Sequence, residues 1–184
     1  MRYFIAFLVT MGLIFLLVFL LFGGSSKPKV LPIHKTLHSY ALTDAQVQLT
    51  IDGPINAVQN HQEVQITVDR NNVTYEQLQG YDGNVVNMQT YDNTENAYTV
   101  FLFALARAGF TQGSNDPTLS DERGFCPLGD RYIFQLMQDG NTIERYWATN
   151  CGSPKTYLGL LNVTLSLFQA QVPNYSKLTG DIPF

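Results

Sequence analysis

The stretch "RYIFQLMQDGNTIERYWAT", residues 131–149, decides the fold that the sequence predicts. Two runs rich in aromatic and β-branched residues flank Asp139-Gly140, a dipeptide that favours the two-residue type I′ turn of a β-hairpin. A turn of this length fixes the register, and the pairs that it predicts are Leu136 with Ile143, Phe134 with Arg145, and Tyr132 with Trp147. Because paired residues share one face of a hairpin, we expect all six side chains on the core face.

Arg145 is the polar member of that predicted core face, and two interpretations of it are open. In the first, its aliphatic stem packs against Phe134 while the guanidinium reaches an edge of the sheet or pairs with a carboxylate. In the second, the guanidinium contacts a ligand. The second interpretation makes Arg145 the candidate binding residue of the chain.

The open end of the same hairpin carries both cysteines of the chain, Cys126 and Cys151. Continuing the register pairs residue 128 with Cys151, and Cys126 lies two positions further along the same face. Such diagonal neighbours are about 7–8 Å apart, slightly beyond disulfide reach, but a proline and two glycines beside them disturb the ladder and ease convergence. Two cysteines in an exported domain are expected to pair, so we predict a Cys126–Cys151 disulfide.

A catalytic thiol at Cys151 is the alternative to this disulfide. The stretch "ATNCGSP", residues 148–154, distantly resembles the strand-borne cysteine motif of sortases, which also use a histidine and a downstream arginine. Here no arginine follows Cys151, and two of the three histidines, His34 and His38, fall in a predicted linker. A reactive thiolate needs a base or cation that lowers its pKa, and these cysteines and histidines match no zinc spacing. We therefore predict no catalytic residue, no metal site and no cofactor.

The rest of the chain predicts the layers that surround the hairpin. Four earlier segments alternate apolar and polar residues with the period of two that half-buried antiparallel strands show, at 47–51, 64–68, 73–75 and 84–91. Apolar residues recur with helical spacing over 94–108, and again between Ser153-Pro154 and Pro173. This order predicts one compact α+β domain over residues 41–184, with both helices packed on one face of an antiparallel sheet.

The N-terminus carries a segment that predicts a membrane anchor. Residues 3–22 hold no charged side chain, and a helix of that length spans about 30 Å, the thickness of the hydrocarbon core of a bilayer. We predict a transmembrane anchor or signal-anchor over residues 1–22, which makes the membrane a partner of the chain. A Gly-, Ser- and Pro-rich flexible tether follows over residues 23–40.

Cleavage and orientation of this segment leave alternatives open. The small residues of "FGGSS", residues 22–26, suit a signal peptidase. Positive charges lie mainly after the segment, at Lys27, Lys29 and Lys35, and a strict charge count places the domain in the cytoplasm. The short N-terminal tail is instead typical of an export signal. We predict a single-pass protein of the cell membrane with its C-terminal domain outside the cytoplasm.

Charge narrows the classes of partner. Residues 41–184 hold seven Lys or Arg against fifteen Asp or Glu, a net charge of −8. Such a surface repels phosphate backbones, so nucleic acid is not an expected partner. We predict a non-catalytic module that binds or scaffolds a protein or an envelope component, with a protease-inhibitor-like domain and a thiol-dependent envelope enzyme as alternatives.

Four stretches resemble a known group of proteins: "YDNTENAYTVFLFALARAGFT", "ERGFCPLGDRYIFQLMQDG", "ERYWATNCG" and "LFQAQVPNYSKLTGDI". They resemble small membrane-anchored proteins of Saccharibacteria and related candidate-phyla bacteria, and the likeness covers most of the chain, including the anchor and both cysteines. The resemblance implies location and a disulfide, and it implies no activity. The order of strands, helix, hairpin and helix also looks like emfourin-type protease inhibitors, in topology only.

Overall fold

A computed structural model describes residues 11–12 and 36–182 of the chain. The compact unit spans Lys35–Phe184, and Met1–His34 form a separate unit. The predicted anchor over residues 3–22 lies outside the described residues apart from Met11 and Gly12, as does most of the predicted tether. Within the part of the chain that is described, no helix has the length and apolarity that a membrane crossing requires.

The compact unit is built on a six-stranded antiparallel sheet in the order β4-β3-β2-β1-β5-β6. Its strands are β1 (Gln46–Asp52), β2 (Gln62–Val68), β3 (Asn72–Gln79), β4 (Asn84–Asp92), β5 (Arg131–Gln138) and β6 (Asn141–Thr149). The helices are α1 (Glu95–Ala108), α2 (Leu161–Gln169) and α3 (Tyr175–Thr179). This arrangement confirms the predicted α+β class and the antiparallel sheet.

Helices α1 and α2 cover one face of the sheet, which we call the helical face. The alternating apolar residues of β1, β2 and β5 bury their side chains there, among them Leu49, Ile66 and Phe134. They pack against an aromatic layer in which the rings of Phe101 on α1 and Phe168 on α2 meet edge to face, with centroids 5.3 Å apart. The single core of the domain therefore lies between the sheet and these helices.

A short 3₁₀ helix, Leu37–Leu42, packs against α1 where the chain enters the compact unit. Leu37 and Ala41 are buried in the core, and the ring of His38 stacks on Phe103 of α1 with centroids 4.5 Å apart. The sequence pattern places residues 37–40 in the predicted tether, because they follow no helical or strand period, whereas the structure places them in the compact unit. The chain enters the domain on the side of the helical face.

The last amphipathic segment forms its helix later than the sequence predicts. Helix α2 begins at Leu161, and Ser153-Pro154 do not start it. Thr156 and Tyr157 instead lie at the edge of β6, where their backbone N–H groups donate to Trp147 O at 2.9 and 2.8 Å. The Tyr157 side chain is buried and its hydroxyl bonds to Thr164 Oγ1 at 2.6 Å. Pairing with the sheet edge and burial of a tyrosine outweigh the helical pattern here.

The hairpin has the predicted turn but not the predicted register. Asp139 and Gly140 both have positive φ, and Gln138 pairs with Asn141 across them. A bulge next to Leu136 then leaves Ile143 without an opposite residue, and a one-residue shift turns every later side chain to the other face. The observed pairs are Leu136 with Glu144, Gln135 with Arg145, Phe134 with Tyr146, and Ile133 with Trp147. The prediction that Arg145 and Trp147 lie on the core face is therefore wrong.

Candidate functional site

The face of the sheet opposite the helices, which we call the loop face, is crossed by the irregular segment 111–130. Trp147 fixes this segment to the sheet: its indole N–H donates to Leu119 O at 2.7 Å, and the ring of Phe125 stacks on it with centroids 5.2 Å apart. Trp147 is fully buried under the segment. The loop face therefore has a small second packing layer over β5 and β6.

The end of segment 111–130 is joined covalently to the end of β6. Cys126 and Cys151 form a disulfide with their Cα atoms 5.8 Å apart, which confirms the predicted pairing. Asn150 reinforces the junction, because its side-chain amide donates to Asp130 Oδ2 at 3.0 Å and its Oδ1 accepts from the Asp130 N–H at 3.1 Å. A Cβ at Gly129 would overlap Asn150 and the Cys126 sulfur, so this close approach requires glycine.

Arg145 lies on the loop face at the centre of the space left between segment 111–130 and the sheet. Its Nη2 donates to Glu122 Oε2 at 2.5 Å and its Nη1 to Ser120 O at 3.4 Å. The side chain keeps 33% of its surface exposed, whereas that of Glu122 keeps only 11%. Of the two interpretations drawn from the sequence, pairing of Arg145 with a carboxylate is observed. The pair lies on the loop face of the sheet, whereas Arg145 was predicted on the core face.

Three cavities in the described part of the chain meet at Arg145. One, of about 230 Å³, is lined by Ser114, Leu119 and Trp147, among others. A second, of about 200 Å³, is lined by Thr50, Asp52, Glu63 and Glu122 along with β5 residues. The third is an open depression of about 570 Å³ bounded by residues 120–123. We call this set of cavities the Arg145 cleft.

A buried ionic cluster forms the floor beside the second cavity. Asp52 Oδ2 accepts from Arg131 Nε at 2.9 Å, and the ion pair brings Arg131 Nη2 within 2.8 Å of the same oxygen. Arg131 Nη2 donates to Gly53 O at 2.8 Å. Asp52 Oδ1 lies 3.1 Å from His61 Nε2. Cross-strand pairing in the sheet sets Asp52 opposite Arg131. Sequence reasoning missed this cluster, since no local pattern around Asp52 indicates a partner 79 residues away.

His61 is held on all sides within this cluster. Its Nδ1 lies 3.2 Å from Pro54 O, its Nε2 faces Asp52, and the Tyr81 ring stacks on it with centroids 4.0 Å apart. Only 2% of the residue is exposed. Both ring nitrogens therefore face protein oxygens, an arrangement that orients a structural histidine and leaves neither nitrogen directed at solvent.

The acidic residues around the cleft have distinct environments. Burial raises the pKa of Glu63, against the lowering effect of a hydrogen bond from Gln65. Asp121 is exposed, and hydrogen bonds from Arg123 lower its pKa to about 2. Asp116 accepts from the backbone N–H and hydroxyl of Thr118 at 2.9 and 2.7 Å. Within the described residues, no group of three or more His, Cys, Asp or Glu is placed to hold a metal ion.

The raised pKa of Glu63 gives a signed prediction for pH dependence. A carboxyl whose pKa is higher in the folded than in the unfolded chain favours folding below its unfolded pKa, and this contribution is lost as pH rises through the folded value. At pH 7 the half-buried charge is therefore unfavourable, and Glu63→Gln should raise the melting temperature by about 2 °C. The gain should shrink toward pH 4.

Melting curves followed by circular dichroism at the two pH values check this expectation. Glu76→Gln on the neighbouring strand β3 is the matched control. An equal gain from both substitutions, or a gain from Glu63→Gln that is independent of pH, would contradict the assigned burial effect.

Comparisons with known proteins add no relative to this description. No protein-family model matches the chain, and no curated protein matches it either. The function of the domain has therefore to be inferred from the residues themselves.

Proposed function

We propose that the chain is a single-pass protein anchored in the cell membrane by residues 3–22, with a non-catalytic module outside the cytoplasm that binds a protein or an envelope component. The Arg145 cleft is its binding surface. The resemblance to small anchored proteins of Saccharibacteria implies the same location.

The observation that carries this proposal is the Cys126–Cys151 disulfide. Stable disulfides form and persist in oxidising compartments outside the cytoplasm, and they are rare where thiols are kept reduced. Both cysteines of the chain take part in it. A charge-free apolar segment at residues 3–22 supports export of the same domain through the membrane.

The state of the nucleophilic side chains supports binding over catalysis. A thiol enzyme needs a free thiolate beside a base, and here both sulfurs are joined to each other. The buried His61 directs its two nitrogens at Asp52 and Pro54. The thiol-dependent enzyme therefore has no supporting feature in the described cleft, and the protease-inhibitor role stays a hypothesis from topology.

The geometry of Arg145 indicates the chemistry that the cleft would recognise. A guanidinium carries five N–H groups, and the bonds to Glu122 and Ser120 involve only its two terminal nitrogens. A partner carboxylate or carbonyl can approach the exposed third of the side chain and form charge-assisted hydrogen bonds. Because the disulfide fixes segment 111–130, the cleft is pre-formed, which lowers the entropic cost of binding.

Photocrosslinking in membranes tests the proposal. The full chain carries a photoreactive residue at position 115, on the rim of the cleft, and is produced in cells as wild type or Arg145→Ala. We expect the chain to resist extraction by alkaline carbonate and to form a discrete adduct that falls about tenfold or more in the Arg145→Ala variant, the equivalent of about 1.4 kcal/mol of binding free energy.

Arg70→Ala is the matched control, because Arg70 is a partly exposed arginine paired with Asp44 away from the cleft. It should leave the adduct unchanged. Release of the full chain by carbonate would refute the anchor, and adduct yields that are equal in all three proteins would refute the Arg145 cleft as the binding surface.

A further inference from the structure

We propose that the outer edge of β4 pairs with β4 of a second copy of this chain, joining two six-stranded sheets into one continuous sheet. Strand β4 is the last strand on one side of the sheet. Its ladder runs to β3, and among residues 36–182 no backbone hydrogen bond from another segment reaches its outer side. An open edge of this kind is a template for pairing with another strand.

The opposite edge of the sheet shows what a protected edge looks like in this domain. There, Thr156 and Tyr157 donate to Trp147 O, and Trp147 N–H donates to Thr156 Oγ1 at 2.8 Å. Thr149 and Gly152 form a further bridge. Strand β6 also carries the charged side chains Glu144 and Arg145. Covering segments and charges are the usual means of preventing edge pairing.

Strand β4 has neither kind of protection over residues 84–91. The sequence "NVVNMQTY" holds no charge and no proline. Its apolar side chains Val85, Val86 and Met88 are 42%, 49% and 54% exposed. The bulge against β3 falls at Val86 and leaves Asn87–Asp92 in regular pairing geometry. A strand with this composition is suited to a partner that is also extended and uncharged.

A second copy of β4 satisfies that requirement in one register. An antiparallel two-fold pairing centred on Met88 uses the regular part of the strand beside the bulge. It places Met88 opposite the same residue of the second copy and Asn87 opposite Gln89, so only uncharged side chains meet near the axis. Asp92, the charged residue of the strand, lies at its end, away from the axis. A C2 interface requires such self-complementarity.

The symmetry also agrees with the way the chain enters the domain. A two-fold axis perpendicular to the sheet keeps the helical faces of both copies on the same side. The 3₁₀ helix Leu37–Leu42 packs against α1 on that side, so this helix lies on the same side of the joined sheet in both copies.

Cysteine crosslinking of the full chain in mild detergent tests the pairing. Met88→Cys places the two introduced sulfurs directly opposite each other, so oxidation should give a covalent dimer on a non-reducing gel. Val100→Cys is the control, because Val100 is 69% exposed on α1 and should give none. A dimer from Val100→Cys equal to that from Met88→Cys, or no dimer from Met88→Cys, overturns the proposal.

Met88→Lys supplies a second readout that does not depend on a crosslink. Two lysines facing each other across the axis should weaken the dimer about tenfold or more in light scattering of the full chain, while the circular dichroism spectrum of the folded protein stays unchanged. Val100→Lys should leave the dimer intact. Persistence of the dimer in Met88→Lys contradicts the proposal. Carbonate extraction tests the membrane anchor independently of these two assays. The β4 pairing can therefore be tested even if the chain proves not to be anchored.

Discussion

Replacing Asp52 with alanine is expected to lower the free energy of unfolding of fragment 35–184 by about 3–5 kcal/mol. The substitution leaves the guanidinium of Arg131, which is only 3% exposed, as an uncompensated charge in the interior. It also removes the oxygen that faces His61 Nε2. Urea unfolding followed by tryptophan fluorescence measures the loss, since Trp147 lies on the same face of the sheet.

Two variants define the origin of that loss. Asp44→Ala removes an exposed ion pair, because Asp44 is 74% exposed and lies 3.5 Å from Arg70, and it should cost less than about 1 kcal/mol. Asp52→Ala combined with Arg131→Met should recover part of the stability, since it removes the orphaned charge. Equal losses of unfolding free energy in Asp44→Ala and Asp52→Ala would contradict this account, because they would show that the larger loss does not come from burial of the Asp52–Arg131 pair.

Removing the crosslink with Cys126→Ser and Cys151→Ser together is expected to lower the free energy of unfolding by about 3 kcal/mol. The disulfide joins residues 25 apart in the sequence, and a loop of that size restricts the unfolded chain to this extent. Urea unfolding of fragment 35–184 with its disulfide intact, reduced, or replaced by the two serines gives the comparison.

Hydrogen exchange at individual amides distinguishes the local effect of losing the crosslink from destabilisation of the whole domain. In the double-serine variant, amide hydrogens near Gly129 and Asn150 should exchange faster, while those of α1 keep their protection relative to global unfolding. The reduced wild type should match the serine variant. A loss of stability below about 1 kcal/mol would contradict the role given to the disulfide.

The strands and their succession along the chain were within reach of the sequence because local rules govern them, whereas their order in the sheet was not predicted. Strands β1 and β2 bury one face each, so their apolar residues alternate, and Asp139-Gly140 specifies its turn through backbone conformation alone. Helix α1 likewise ends at Gly109, which has the left-handed conformation (φ 80°) that glycine adopts readily. In these places the local preference and the tertiary structure agree.

The register of the hairpin was beyond local rules, and so was the position of Arg145. The bulge that leaves Ile143 unpaired has no signature in composition, and the burial of two later residues of β6 favours it. Tyr146 packs in the core, while Trp147 is covered by segment 111–130. The one-residue shift places Tyr146 in the core and keeps Trp147 buried, now under segment 111–130. A sequence pattern that assumes a regular ladder cannot include this tertiary contribution.

The ionic cluster was out of reach for a different reason. Asp52 and Arg131 are 79 residues apart in the sequence and meet only because β1 lies beside β5. His61 follows a turn whose conformation brings Pro54 O to its ring. Only the Cys126–Cys151 pair could be inferred among the distant contacts, because the chain has two cysteines and one way to join them.

The redox state of Cys126 and Cys151 in living cells tests the central claim, a module that lies outside the cytoplasm, most directly. Bacterial cells that produce the full chain are treated with N-ethylmaleimide before lysis, and the protein is then denatured, reduced and labelled with a polyethylene-glycol maleimide. We predict two added polymer chains per molecule after reduction and none without it, with no addition in the double-serine variant. Full blocking of both cysteines by N-ethylmaleimide in the cells would contradict the account.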